Sequence, residues 1–259
     1  MKVAILAGGL GTRLSEETVN KPKAMVEVGG QPILWHIMKH YSHYGFNEFV
    51  IALGYKGECI TDWMREYFGS NKNVNITESN CAVILQDRRK NHNSWNVSLV
   101  DTGPETQTGG RIKRLTPWLN NQTFMLTWCD AVANVDLRTL LKFHISHGRL
   151  ATVTAVQPPS RFGRLVMERD KVAQFTEKPR DSGDWINGAF FVLEPETLNY
   201  IKGDATSWEK EPLEILAGKG ELMAYRHNGF WQCMDTIHEN RQLEKIWQSG
   251  QAPWKIWKD

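Results

Sequence analysis

The stretch Val3-Ala-Ile-Leu-Ala-Gly-Gly-Leu-Gly-Thr-Arg-Leu14 decides how the rest of the chain is read. Val3 to Ala7 is a short unbroken apolar run, the pattern of a strand buried on both faces, and it stops on glycines. Glycines directly after a strand let the backbone turn tightly and bring bare N–H groups against an anion. A helix starting just beyond adds its positive end. Arg13 adds a permanent cation that can grip two phosphate oxygens at once. The segment reads as a phosphate cradle. A bare Gly-x-Gly is more simply a tight turn with no ligand, and it is the adjacent Thr12-Arg13 that favours the cradle. Two familiar cradles fail on the residues. A dinucleotide fingerprint opening at Gly9 needs a glycine where Leu14 stands, and no stretch supplies G-x-x-x-x-G-K-[ST].

Outward from this loop, short apolar runs alternate with amphipathic stretches. Gln31 to Tyr44 carries Ile33, Leu34, Ile37, Met38 and Tyr41 at helical spacing and stops at Gly45. Phe49 to Leu53 reads as a second buried strand, followed by a helix from about Glu58 to Phe68. Thr123 to Trp128, Ala151 to Val156 and Ala189 to Leu193 are further strands, with a helical pattern at Leu137 to His147 between two of them. Strand, helix, strand in succession implies parallel pairing through right-handed crossovers. The expected fold class is therefore α/β: Rossmann-like, a mostly parallel mixed sheet flanked by helices. Periodicity leaves 71–114 open between loops and an antiparallel hairpin excursion. After Pro195 the pattern turns helical and ends in a tail with Trp231, Trp247, Trp254 and Trp257. No linker, repeat or low-complexity segment divides the chain, so residues 1–259 are expected to form one domain with insertions at about 71–114.

The 259 residues are 41% hydrophobic, enough for a sizeable core. Thirty-one basic against 29 acidic residues leave a net charge of +2, which gives no footprint for nucleic acid or a polybasic membrane contact. No run approaches the roughly 20 apolar residues of a transmembrane helix. The first apolar run ends at Gly8-Gly9, too early for a signal peptide, and a cytoplasmic protein is expected. The four cysteines are scattered and expected as reduced thiols. His36 and His40 share a helix face, but no carboxylate or cysteine motif accompanies them, so they are read as structural.

Gly8-Gly-Leu-Gly-Thr-Arg-Leu14 followed by Lys21-Pro-Lys-Ala-Met25 resembles the sugar-1-phosphate nucleotidylyltransferases. Leu14-Ser-Glu-Glu-Thr18, Pro32-Ile-Leu-Trp-His-Ile-Met-Lys39, Trp95-Asn-Val-Ser-Leu-Val-Asp-Thr-Gly103 and Thr108-Gly-Gly-Arg-Ile-Lys-Arg114 are similar to the members that transfer a cytidylyl group to glucose 1-phosphate. So are Asn187-Gly-Ala-Phe-Phe-Val-Leu193 and Phe230-Trp-Gln-Cys-Met-Asp-Thr236, and together the matches cover essentially the whole chain. The resemblance implies the nucleotidyltransferase, glycosyltransferase-A-like fold. It also implies attack of glucose 1-phosphate on the α-phosphorus of CTP with Mg²⁺, giving CDP-glucose for surface-polysaccharide (lipopolysaccharide O-antigen) synthesis, in a homo-oligomer.

It further implies roles for individual residues. Arg13 would neutralise the leaving phosphates, and Lys23 would act near the transferring phosphoryl group. Leu6, Ala7, Gly8, Gly9, Leu10, Gly11 and Thr12 would surround base, ribose and phosphates, together with Thr106, Gly110 and Arg111. Arg111 either reads the cytosine or is a structural cation holding its own loop. Asp130 and Asp235 match the two metal aspartates, although a lone Asp at a strand end is more simply a turn or cap residue. Gly163, Glu177, Lys178, Asn187 and Gly188 would receive the sugar phosphate, against the plainer reading of Glu177-Lys178 as a surface ion pair. The sequence departs from the family at Trp128-Cys-Asp-Ala-Val-Ala-Asn134, where Cys129 and Ala131 replace glycines and Asn134 replaces an acid. That departure keeps a sugar-nucleotide-binding regulatory protein in play as a rival. UTP or dTTP, or another sugar 1-phosphate, are rivals within the same chemistry.

Overall fold

The computed structural model describes residues 1–9, 18, 21–69, 74–79, 81–87, 94–158, 163–177 and 184–258. Strand β1 (Lys2–Leu6) leads to a 3₁₀ turn at Lys23–Met25, a small ribbon of β2 (Glu27–Val28) and β3 (Gln31–Pro32), and helix α1 (Ile33–His43). Then come β4 (Glu48–Leu53), α2 (Gly57–Gly69), β5 (Val74–Ser79), β6 (Ala82–Asp87), β7 (Asn96–Asp101), α3 (Thr108–Arg114) and α4 (Thr116–Leu119). The second half runs β8 (Phe124–Trp128), β9 (Ala131–Ala133), α5 (Leu137–His147), β10 (Ala151–Val156), β11 (Arg164–Glu168), β12 (Lys171–Thr176) and β13 (Ile186–Leu193). It closes with a 3₁₀ segment Pro195–Tyr200, α6 (Glu211–Gly218), β14 (Leu222–His227), β15 (Trp231–Cys233) and α7 (Ile237–Gln248). No described helix is long and apolar enough to cross a membrane.

Nine of the described strands form one mixed sheet in the order β14-β10-β13-β8-β1-β4-β7-β6-β5. β1 lies between two parallel neighbours, with Val3 opposite both Phe49 and Met125. That position explains its unbroken apolar run, because both faces are covered. Alternate residues serve different layers. Val3 and Ile5 pack with α1, Met234 and the C-terminal Trp254 and Trp257. Ala4 and Leu6 pack on the other side with Ile112 of α3, Trp208 and Leu216 of α6. Only β13 and β6 run against the common strand direction.

The expected helices at Gln31 to Tyr44, Glu58 to Phe68 and Leu137 to His147 are present within a few residues, as are the expected strands. Segment 71–114 resolves into the hairpin β5–β6 on the sheet edge, the interior strand β7 and helix α3. The region after Pro195 is not simply helical: β14 joins the main sheet parallel to β10, and β15 pairs with β9. Trp254 and Trp257 are buried within this chain against His36 and Trp35 of α1, so core packing accounts for both rings. His36 is a satisfied core histidine: its Nε2 bonds Val28 O at 2.8 Å, and its Nδ1 faces the Trp254 indole N–H at 3.4 Å.

Candidate active site

Parallel strands leave their C-terminal ends on one side, where α/β sheets open their crevices. β1 and β8 are paired with Leu6 opposite Trp128, so Ala7 to Gly9 and Cys129 to Asp130 emerge side by side. They line a cavity of about 400 Å³ together with Lys23, Thr106, Arg111 and Asp235. Gln107 and Thr108, from the segment that resembles the family's, and Pro104 and Glu105, which no motif had singled out, also line its wall.

Asp235 reaches Asp130 through a local ladder. β9 follows Asp130 and pairs antiparallel with β15, setting Ala131 opposite Cys233, and Met234 N donates to Asp130 O at 2.8 Å. Lys23 comes from the opposite end of the sequence on a 3₁₀ turn anchored by the buried Ala24 and Met25. Its Nζ donates to Asp130 Oδ2 at 2.7 Å and to Asp235 Oδ1 at 2.5 Å. Burial opposes the Lys23 ammonium, but Asp130 and then Asp235 outweigh it and hold the pKa above the usual lysine value. Lys23 is thus a fixed cation at every physiological pH.

Arg111, only 4% exposed, answers its two readings geometrically. Its Nη1 donates to Leu53 O, Thr102 Oγ1 and Gly103 O at 3.0, 2.7 and 2.8 Å. Its Nη2 donates to Gly8 O at 3.0 Å and Pro104 O at 3.1 Å. The two terminal nitrogens are therefore committed to holding three loops together, the role of a structural cation. A Cβ at Gly8 would overlap the Arg111 guanidinium, so glycine is required there by close approach. Gly110 does not line the cavity; it packs against the loop at Asp204, where a Cβ would fall 2.5 Å from the Asp204 Cα.

The sugar-phosphate candidates stand apart from this cavity. Gly163 and Glu177 are neighbours at the foot of the β11–β12 hairpin, a Cβ on Gly163 falling 3.0 Å from Glu177 Oε2. Asn187 is exposed and accepts from Ala189 N at 2.8 Å. Gly188 is buried beside β10, its carbonyl accepting from the Trp231 indole at 2.9 Å. None of the four is in the wall of the Lys23 cavity. Leu10, Gly11, Thr12, Arg13 and Lys178 lie outside the described residues.

The altered segment after β8 is accommodated inward. Ala131 is buried, and burial, reinforced by Asp130, pushes the Cys129 thiol up to about 12. A thiol that stays protonated at neutral pH is a poor nucleophile. Asp136 does not line the cavity but caps α5, accepting from Arg138 N and Thr139 N at 2.9 Å each. Asp130 and Asp235 converge on one point, as their shared bond partner demonstrates. Two carboxylates without soft ligands fit a hard divalent cation whose remaining positions go to phosphate and water.

A strand-end glycine loop, a lysine and two converging carboxylates on a mixed sheet are the parts of a phosphoryl-group transferase. The family model described as nucleotidyl transferase matches residues 2–237, and the chain belongs to that family. Within it, the chain is 49% identical to the glucose-1-phosphate cytidylyltransferase of Salmonella typhi over 258 residues, which is 99% of this chain and 100% of that protein. Among solved structures it is similar in fold to UDP-glucose pyrophosphorylase complexed with UDP-glucose, at a TM-score of 0.69 and 15% identity, covering 96% of this chain and 98% of that one. HddC from Yersinia pseudotuberculosis gives a TM-score of 0.68 at 21% identity, covering 95% and 99%.

Proposed function

We propose that the chain transfers the cytidylyl group of CTP to glucose 1-phosphate, releasing pyrophosphate and forming CDP-glucose, as a single catalytic domain working in the cytoplasm. The observation that carries this reading is the convergence of Lys23, Asp130 and Asp235 beside the glycine loop. Base and sugar are taken from the full-length similarity to the Salmonella protein.

Both reactants are polyanions, so the barrier lies in bringing negative charge together and stabilising what builds on the phosphoryl oxygens. A glucose 1-phosphate oxygen forms the new bond to the α-phosphorus while the bond to the bridging oxygen breaks and pyrophosphate departs. Lys23 donates to the α-phosphoryl oxygens, its charge guaranteed by the two aspartates. Asp130 and Asp235 would hold Mg²⁺, which when bound neutralises the triphosphate. Ala7 to Gly9 supply close backbone approach to the nucleotide, with Arg111 fixing the Gly8 carbonyl and Thr106 closing the far wall. Arg13 takes the leaving pyrophosphate. Gly163, Glu177, Lys178, Asn187 and Gly188 receive the sugar phosphate. The protonated Cys129 is a poor nucleophile, which supports direct transfer without a covalent enzyme intermediate. Homo-oligomerisation is expected from the resemblance, and sedimentation velocity tests it.

The testing experiment measures pyrophosphate release with Mg²⁺, crossing CTP, UTP, dTTP and ATP against several sugar 1-phosphates. Fastest release with CTP and glucose 1-phosphate is expected. Fastest release with another pair moves the specificity and keeps the chemistry. Nucleotide binding without release from any pair would sink the enzyme reading in favour of a regulatory sugar-nucleotide binder.

A further inference from the structure

Glu239 is a buried carboxylate, 6% exposed, that no catalytic motif includes. It stands at the third position of α7, where the Thr236-x-x-Glu239 spacing is that of a capping box. The Thr236 hydroxyl accepts from Glu239 N at 3.2 Å, and Glu239 Oε2 accepts from Thr236 N at 3.0 Å. A helix start needs no more than that. The same Oε2, however, takes a shorter bond from the N–H of Asp235, at 2.7 Å, and Oε1 receives the Cys233 thiol at 3.7 Å.

The N-terminus of α5 gives an internal comparison. There an exposed Asp136 caps the helix alone, with no buried acid behind it. Burying a carboxylate is costly unless its oxygens are fully bonded. At α7 that cost is met by donors from Cys233, Asp235 and Thr236, grouped around Asp235. Resting on the metal-carboxylate reading of Asp130 and Asp235, we propose that Glu239 is the positioning residue of Asp235. By gathering the N–H groups of Asp235 and Thr236 on one oxygen and the Cys233 thiol on the other, it fixes the backbone at Asp235. The Asp235 carboxylate is thereby aimed at the point it shares with Asp130 and Lys23. Groups behind a metal ligand act in this way, and their loss changes metal affinity by roughly 10–100-fold.

The test uses the full chain and Mn²⁺ as probe, reading free Mn²⁺ by electron paramagnetic resonance and folding by thermal melting. Glu239→Ala should weaken Mn²⁺ binding by roughly 10–100-fold, while Glu239→Gln, whose amide oxygen still accepts from Asp235 N, should stay within about threefold of wild type. Thr236→Ala should lower the melting temperature but bind Mn²⁺ as wild type does, because Glu239 retains its bond to Asp235. Glu239→Asp keeps the charge but withdraws it by one methylene; it should bind as weakly as the alanine variant, and it carries the comparison should the alanine variant fail to fold. Glu239→Ala or Glu239→Asp binding Mn²⁺ like wild type, or no more weakly than Thr236→Ala, would reduce Glu239 to a helix cap and overturn the proposal. The underlying reading is checked separately: Asp235→Asn binding Mn²⁺ as tightly as wild type would remove Asp235 from the metal site and take this inference with it.

Discussion

Lys23 and Arg111 direct their polar groups inward onto carboxylates, backbone carbonyls and a hydroxyl, whereas hairpin β11–β12 leaves Leu165 and Met167 50% and Phe175 61% exposed. The first region is a half-buried to buried framework of several hydrogen bonds around fixed charge. The second is a two-stranded ribbon with its apolar side chains in water, and Gly163 and Glu177 stand at its foot. Two-stranded ribbons are marginal by themselves in water. The contrast separates two duties. Charge stabilisation gains from groups that cannot relax, while a ribbon with few anchors can adjust to whatever settles against it.

The largest effect is expected at the buried half. Asp130→Ala should slow pyrophosphate release by about 10³-fold or more, with circular dichroism unchanged. Activity within tenfold of wild type would break the assignment of that half as the reaction centre. Acid should loosen the core where α1 packs against the C-terminal tryptophans. Burial, opposed only partly by the bond to Val28, lowers the His36 pKa from 6.5 to about 4. The unfolded chain therefore takes up a proton that the fold refuses. This contribution to stability is full above pH 6.5 and lost progressively as pH falls to about 4, at most about 3 kcal/mol. Melting temperature against pH should show this limb, flattened in His36→Gln.

Arg111→Leu should cost about 2–3 kcal/mol, because the carbonyls of Gly103 and Pro104 lose the guanidinium donor while Leu53 O and Gly8 O fall back on Thr102 and Tyr55, and it should raise the KM for nucleotide more than it lowers kcat. Chemical denaturation with steady-state kinetics checks both. At the exposed half, Phe175→Ser should shift stability by less than about 0.5 kcal/mol. A drop of several times that size would mean the hairpin is covered in solution, and would redraw the contrast.

The same division governs what the residues reveal unaided. β1, β4 and β8 are legible because burial on both faces demands continuous apolar runs. β7 is equally interior, yet Asn96, Ser98 and Asp101 interrupt its Val97, Leu99 and Val100, so periodicity leaves it open between loop and hairpin. Hairpin β11–β12 has apolar side chains but no core to face, so no period announces it. Lys23, Asp130 and Asp235 were found through motifs. The clamp of Arg111 was not decidable, because its partners are mostly main-chain carbonyls, which every residue type possesses. Glu239 was within reach, since Thr-x-x-Glu directly after Asp235 marks a helix start.

The ion pairs that centre the site join Lys23 to Asp130 across 107 residues and to Asp235 across 212. A nascent chain can therefore lay down β1, β4 and β7 well before its charged centre exists, and the centre appears only when the segment beyond β15 docks. A deletion beyond residue 230 would take Asp235 from the site and, with it, Met234, Leu243, Trp254 and Trp257 from the core layer beneath β1. The last segment to be made thus completes the core and the charged centre together, so folding and chemistry arrive by one docking event.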